Sequence, residues 1–345
     1  MVTTVSFPGL GLEFELNRVA FSIGGYGLLI GIGFMLAEVY VLSNARKVGV
    51  DGDRLIDVAM VGLLCGVIGA RLYYVIFDWE SFQGNLSKIL DIRQGGLAIY
   101  GGILAGVASG IIMAKIRKVQ VRPALDLAAA GFLIGQSIGR WGNFVNVEAF
   151  GCNTTSILGM TGPKVVGYLT QVKNSGAAWA QGIDPTMPVH PTFLYESVWC
   201  MMGFLIVALW LMRHRKYDGQ VFLFYTGWYG LGRFFIEGLR TDSLMWGPIR
   251  VSQALALAAF LVSAALLIWL GWKKKKLGED FLPLYIHTPD GQAVAAGTFY
   301  QKAAGAKIQP EATAGEQPEP VEQPAADSEP NSRNKGKEPE KWHRS

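Results

Sequence analysis

Charge is what this sequence has least of. Only 17% of its 345 residues are Asp, Glu, Lys or Arg, while 50% are hydrophobic and the mean hydropathy is +0.27. Soluble domains carry roughly a quarter charged residues, so the shortage argues against an ordinary soluble domain. Cysteine is also scarce. Cys65, Cys152 and Cys200 are scattered, with no paired framework and no metal-ligand spacing, so neither a disulfide scaffold nor a structural metal site is expected. Cys65 and Cys200 fall inside apolar runs and read as small buried thiols. The opening "MVTTVSFPGLGLEFELNRVA" lacks a basic region followed by an apolar one. No cleavable signal peptide is expected there, only a short outer segment lying at the membrane surface. No repeat recurs at a fixed period and the chain does not divide into similar halves, which counts against a repeat-built transporter.

What is there in quantity is long apolar runs. About seven, near 21–43, 55–77, 96–114, 123–142, 191–212, 219–238 and 250–272, are long enough to cross a bilayer as helices. Between the first two lie Arg46, Lys47 and Arg54, and between the third and fourth Lys115, Arg117, Lys118 and Arg122. Arg213, Arg215 and Lys216 follow the fifth, and Lys273 to Lys276 follow the seventh. The alternate connections are poorer in cations. Basic loops resist translocation, so the expected fold is an all-α integral membrane protein of about seven transmembrane helices, N-terminus outside and C-terminus cytoplasmic. The net charge of +4 sits mostly in the basic loops. It suits anionic lipid rather than nucleic acid.

A membrane domain is expected over 1–285, with a small extracytoplasmic cap at about 143–190 that is too long and too rich in aromatic and β-branched residues for a bare loop. The remainder, 286–345, runs into "EATAGEQPEPVEQPAADSEPNSRNKGKEPEKWHRS" and reads as a disordered cytoplasmic tail.

Polar residues inside apolar spans usually mark a pathway or a site. In "GRWGNFVNVEAFG", Arg140 and Asn143 share a helix face at i, i+3, Asn146 lies adjacent and Glu148 drifts away. Gly139, Gly142 and Gly151 permit a break or close backbone approach. Two readings are open: a structural network in which Arg140 pairs with Glu148, or an anion site using the planar arginine fork. In "GWYGLGRFFIEGLRTDS", Tyr229 precedes Arg233 and Glu237 at i, i+4, with Arg240 three residues on. Two arginines against one glutamate leave positive charge over, which again suits an anion. "GGLAIYGG" flanks Tyr100 with glycines, and "GGYGLLIG" does the same for Tyr26. Each reads either as a helix-packing face with an interfacial tyrosine or as a ligand contact. "VHPTFLYES" opens the fifth span. Pro191 suits a helix start, Glu196 favours the helix dipole, and His190 reads as a capping or solvated residue rather than a base. Arg71, midway through the second span, needs an anionic partner or must snorkel.

Together these segments resemble the prolipoprotein diacylglyceryl transferase family of bacterial inner membranes. The signature G-R-x-G-N-F-x-N-x-E-x-x-G is matched by residues 139–151, and "GGLAIYGG", "HPTFLYE" and "YGLGRFFIEGLR" match its other recurrent segments in order. The likeness covers roughly 20–272. It implies transfer of the diacylglyceryl group of phosphatidylglycerol to the lipobox cysteine of a preprolipoprotein. The product is a thioether, glycerol 1-phosphate leaves, and no metal or organic cofactor takes part. A transporter or flippase for an anionic phospholipid is the alternative. Under the family reading Arg140 and Arg233 clamp the phosphate, and Asn143 and Asn146 orient the headgroup. Glu148 and Glu237 hold the arginines. Tyr26, Gly151, His190, Tyr229 and Arg240 line the substrate. Tyr100 stands where many members carry a histidine cast as the base. A phenol of ordinary pKa about 10 is a poor base at neutral pH, so Tyr100 serves as base beside an arginine or else hydrogen-bonds the headgroup.

Overall fold

A computed structural model of the chain describes residues 2–17, 25–83, 87–91, 95–175, 182–241, 245–246 and 249–300. It is predominantly helical. The N-terminal segment, expected as a short outer segment, forms an antiparallel hairpin of β1 (Val2–Phe7) and β2 (Leu12–Asn17), with Val5 opposite Phe14. A 3-10 turn at Pro8–Leu10 joins the strands. It closes on Gly11, whose φ of +65° only glycine adopts without strain.

The long helices are α1 (Gly25–Ala45), α2 (Gly52–Phe77), α3 (Ile99–Ile116) and α4 (Val121–Asn146). After a short helix α5 (Pro163–Asn174) come α6 (Thr192–Ile206), α7 (Gln220–Leu239) and α8 (Val251–Leu277). A π-helical turn, Val207–Leu211, and Met212–His214 prolong α6. Among the described residues, five segments are long and apolar enough to cross a membrane: Gly27–Val48, α2, α3, Thr192–His214 and α8. The fourth and sixth expected spans are helices, α4 and α7, but fall outside that set. α4 carries Arg122, Asp126 and Arg140, and α7 carries Arg233 and Glu237 among glycines and amphipathic aromatics. Their surroundings explain this. α4 packs on α1, α6 and α7, and much of its surface is buried by them. A helix sheltered by other helices need not present an apolar surface all round.

Two packing devices set the frame. α2 and α3 meet along a seam of small residues: a Cβ on Gly69 would lie 2.2 Å from the Ala105 Cβ, and one on Gly101 would lie 2.4 Å from the Gly69 carbonyl oxygen. Gly101, in the third expected cluster, is therefore there for helix approach. α6 and α7 are locked by a reciprocal tryptophan pair. The Trp199 indole donates to the Trp228 carbonyl at 2.8 Å, the Trp228 indole donates to the Trp199 carbonyl at 2.9 Å, and the rings stack at 4.2 Å. Gly232 and Gly203 lie beneath these rings, with no room for a Cβ.

Beyond α4 the chain forms a cap with its own core, which includes Val5, Phe7, Phe144, Phe150, Met160, Val165, Leu169 and Val189. Backbone bridges hold it: Ser6 to Thr161, Asn153 and Met160 to Val189, and Gly151 to Arg240.

At the opposite end of the bundle the chain folds back after α8. The Tyr285 N–H donates to Asp218 Oδ2 at 2.6 Å, and Thr288 caps helix α9 (Pro289–Ala295). The Arg54 guanidinium lies 3.4 Å over the Tyr300 ring. The expected tail boundary at 286 is therefore too early. Thr288, Val294 and Tyr300 supply a cap, a buried side chain and a cation–π contact that composition did not reveal. The expected disordered remainder, 301–345, lies outside the described residues.

Candidate active site

The helix register set by the tryptophan pair brings three segments together. Glu196 lies one turn before Trp199 on α6, and Arg233 follows Gly232 on α7. Arg140 comes from the last third of α4. Glu196 is 2% exposed and bridges both cations. Its Oε1 meets Arg140 Nη2 at 2.5 Å and its Oε2 meets Arg233 Nη1 at 3.2 Å. The Tyr229 hydroxyl donates to Glu196 Oε1 at 3.1 Å and lies 3.5 Å from Arg140 Nη2. Glu237, also 2% exposed, takes the other side of Arg233, with Nη2 to Oε2 at 2.5 Å. Arg240 sits within electrostatic reach of Arg140. Arg250 donates to the carbonyls of Glu237 and Arg240, tying the end of α7 to the start of α8.

Exposure separates the two signs of charge. Arg140 and Arg233 face two buried carboxylates, Glu196 and Glu237. The two bridging arginines keep about a fifth of their side-chain surface open, 23% for Arg140 and 19% for Arg233, whereas the carboxylates are closed off. The accessible groups of the ring are thus donors. A preorganised, largely dry array of guanidinium donors is suited to an anion, or to negative charge that develops during reaction.

Several expected roles change. Glu148 does not hold Arg140. It is exposed, and its Oε1 accepts from Asn143 Nδ2 at 3.0 Å and Asn146 Nδ2 at 3.2 Å. Val147 ends α4 with a left-handed φ of +48°, which turns Glu148 back toward the helix end and away from its own arginine. Asn143 and Asn146 thereby form a polar rim, and Lys164 of the cap donates to the Asn146 carbonyl. Gly151 is a close-approach glycine: a Cβ there would lie 2.9 Å from the Leu239 carbonyl oxygen and 2.8 Å from the His190 Cβ. His190 accepts from the Gly151 N–H through its carbonyl, and its ring meets the Tyr195 hydroxyl at 3.1 Å. Burial holds the His190 pKa below the usual imidazole value, which keeps it neutral. It thus joins the cap to α6 and makes no contact with the arginine ring among the described residues.

Tyr100 lies in the first turn of α3, 42% exposed, and its hydroxyl makes no hydrogen bond among the described residues. The structure does not bring it into the ring. Tyr26 belongs to the first turn of α1, and its side chain lies outside the described residues. Among the described residues no carboxylate pairs with Arg71, and its guanidinium does not snorkel. It is 8% exposed and donates to the carbonyls of Lys88, Ile89, Asp91, Gly95 and Gly96 at 2.6–2.9 Å. That loop leads directly into Tyr100.

Glu196 and Arg250 are the residues the sequence reading missed. Glu196, expected only to favour the helix dipole, lies in the second turn of α6, deeper than a dipole partner needs to be. The excess of arginine at one depth was the signal that a further buried carboxylate had to exist.

Residues 14–269 match the family model described as prolipoprotein diacylglyceryl transferase. A protein of Clostridioides difficile (strain 630) named phosphatidylglycerol–prolipoprotein diacylglyceryl transferase is 38% identical over 265 residues, 75% of this chain and 98% of that protein. Proteins of the same name from Bacillus cereus (strain G9842) and Bacillus anthracis (strain CDC 684 / NRRL 3495) are each 38% identical over 277 residues, 78% of this chain and 96% of theirs.

Proposed function

The chain belongs to the prolipoprotein diacylglyceryl transferase family and transfers a diacylglyceryl group to prolipoprotein, and we propose that the Arg140–Glu196–Arg233–Glu237 ring is where the lipid phosphate is held. The donor is phosphatidylglycerol and the acceptor is a lipobox cysteine. The thiolate sulfur forms a bond to the glyceryl carbon as the bond from that carbon to the phosphate oxygen breaks, and glycerol 1-phosphate leaves. Negative charge grows on that oxygen, and Arg140 and Arg233 stabilise it. The same positive field favours the thiolate over a thiol of ordinary pKa near 8.5. Glu196 and Tyr229 fix the direction of the two guanidinium forks. Asn143 and Asn146, held by Glu148, contact the headgroup at the rim, and Tyr100 hydrogen-bonds it from α3. Gly151 and His190 seat the cap against α6 and α7. We further propose that α4 and α7 cross the bilayer with the five apolar helices, giving seven spans in a bacterial inner membrane. The ring and cap then face outward and the basic loops face the cytoplasm.

The observation that carries this reading is one buried carboxylate bridging two arginines whose remaining donors stay accessible. Mass spectrometry of a lipobox peptide incubated with the purified chain and phosphatidylglycerol tests it. A diacylglyceryl-thioether product that disappears in Arg140→Ala supports the clamp. Full conversion by that variant removes it.

A further inference from the structure

The connection between α3 and α4 borders a cavity of about 530 Å³ at the opposite end of the bundle from the arginine ring. Its walls include Lys115, Lys118, Arg122, Tyr285, Asp290 and Phe299. Arg122 and Arg140 are 18 positions apart on α4, or ~27 Å at the helical rise, so this space is separate from the site above.

How the cations of this face are satisfied distinguishes the cavity. Arg54 donates to the Arg117 carbonyl and covers Tyr300, Arg117 pairs with Asp57, and Arg215 pairs with Asp218 at 3.6 Å. Lys115, Lys118 and Arg122 make no side-chain hydrogen bond or ion pair among the described residues, although Arg122 lies within electrostatic reach of Asp218, and all three line the cavity. One carboxylate, Asp290, stands among them. α4 begins in the same wall with no side-chain cap, so the positive end of its dipole adds to the field. Ile116, next in sequence to the lining residue Lys115, is 67% exposed. Phe299 gives the cavity an apolar side.

We propose that this cavity is a second anion site, on the face the charge pattern assigns to the cytoplasm, and that it binds a phosphate-bearing ligand. Three cations around one phosphate, with an apolar side at Phe299, match an anionic phospholipid headgroup. Free phosphate shares the charge chemistry but uses nothing of the apolar wall.

The test is native mass spectrometry of the delipidated full-length chain titrated with phosphatidylglycerol and, separately, with inorganic phosphate. Three proteins are compared: wild type, Lys115→Gln/Lys118→Gln/Arg122→Gln, and a control with equal charge loss, Lys47→Gln/Lys216→Gln/Lys275→Gln. At roughly fivefold per cation near a lipid surface, the cavity variant should bind one phosphatidylglycerol about 10²-fold more weakly, and the control should resemble wild type. Phosphate binding with the same dependence on the variants, without lipid binding, would assign the site to a soluble anion. Identical lipid and phosphate binding by wild type and the cavity variant, or equal loss in the control, overturns the proposal. Circular dichroism identifies a variant that fails to fold, in which case Arg122→Gln alone carries the comparison.

Discussion

The two ends of α4 each place a charge in a helix surrounded by other helices, and they settle it differently. Near its start, Asp126 is fully buried. Its Oδ2 accepts from the Gly219 N–H at 2.9 Å and its Oδ1 from the Phe222 N–H at 2.9 Å. The carboxylate caps the first turn of α7 from a neighbouring helix, and both of its oxygens are occupied. Near its end, Arg140 is met by Glu196 while part of its guanidinium stays open. Arg71 behaves like Asp126: five backbone carbonyls receive its donors. A charge within a span is therefore not itself a sign of function. What separates the two cases is whether backbone groups consume it or whether donors are left facing an accessible space.

The comparison breaks most visibly through activity. Removing one preorganised donor from a dry site costs about 10²–10³ in rate, so Arg140→Ala and Arg233→Ala should each reduce thioether formation by that order, measured by mass spectrometry of the peptide product. Glu196→Ala should act on both sides of the comparison. It leaves two arginines without their shared partner, and breaking a buried pair costs about 3–5 kcal/mol. A lower unfolding temperature in micelles should accompany the loss of transfer. Unchanged stability would mean that Glu196 does not organise the ring. Asp126→Asn should do the reverse. Losing a charged acceptor for two amides costs about 1–3 kcal/mol, and the folded fraction should transfer at the wild-type rate. A rate loss there comparable to Arg140→Ala would erase the distinction between the two ends.

The sequence carried this unevenly. Apolar runs and the alternation of basic loops reached every long helix, including α4 and α7, which are too polar to be recognised by hydropathy alone. Arginine pairs at helical spacing located the site. What could not be read was the pairing. Glu196 lies 56 positions from Arg140 and 37 from Arg233, so only the packing of α6 on α7 decides that it serves both. Arg140 and Glu148, close in sequence, are parted by a single left-handed residue, Val147. The hairpin was legible in principle. "LEFELN" alternates in polarity after a Pro-Gly-x-Gly turn, a hairpin period that the absence of signal-peptide features does not register.

Tyr100 provides the next sharpest test, because the two roles open to it differ in size. A general base contributes about 10²–10⁴, whereas a headgroup hydrogen bond is worth about 1 kcal/mol, or less than about tenfold in rate. The phenol is exposed and lies outside the ring, so Tyr100→Phe should lower kcat/KM by less than about tenfold. A loss beyond about 10² would make Tyr100 part of the proton transfer and extend the reacting site from α4, α6 and α7 to α3.

The smallest effect belongs to His190, and its sign is fixed. Burial lowers its pKa in the folded chain below the unfolded value near 6.5. Below pH 6.5 the unfolded chain therefore binds more protons at this site than the folded one. Stability from the neutral ring is complete above pH 6.5 and is lost as pH falls, until both states are protonated below the folded pKa. Thermal melts of wild type and His190→Gln, compared at pH 7.5 and pH 5.5, should differ in slope, with the wild type losing slightly more on acidification. Because His190 joins the cap to α6 and not to the arginines, the transfer rate of His190→Gln at pH 7.5 should stay within about twofold of wild type, the span expected for a surface substitution of about 0.5 kcal/mol. A large rate loss without a change in the melts would place His190 on the substrate side of the comparison.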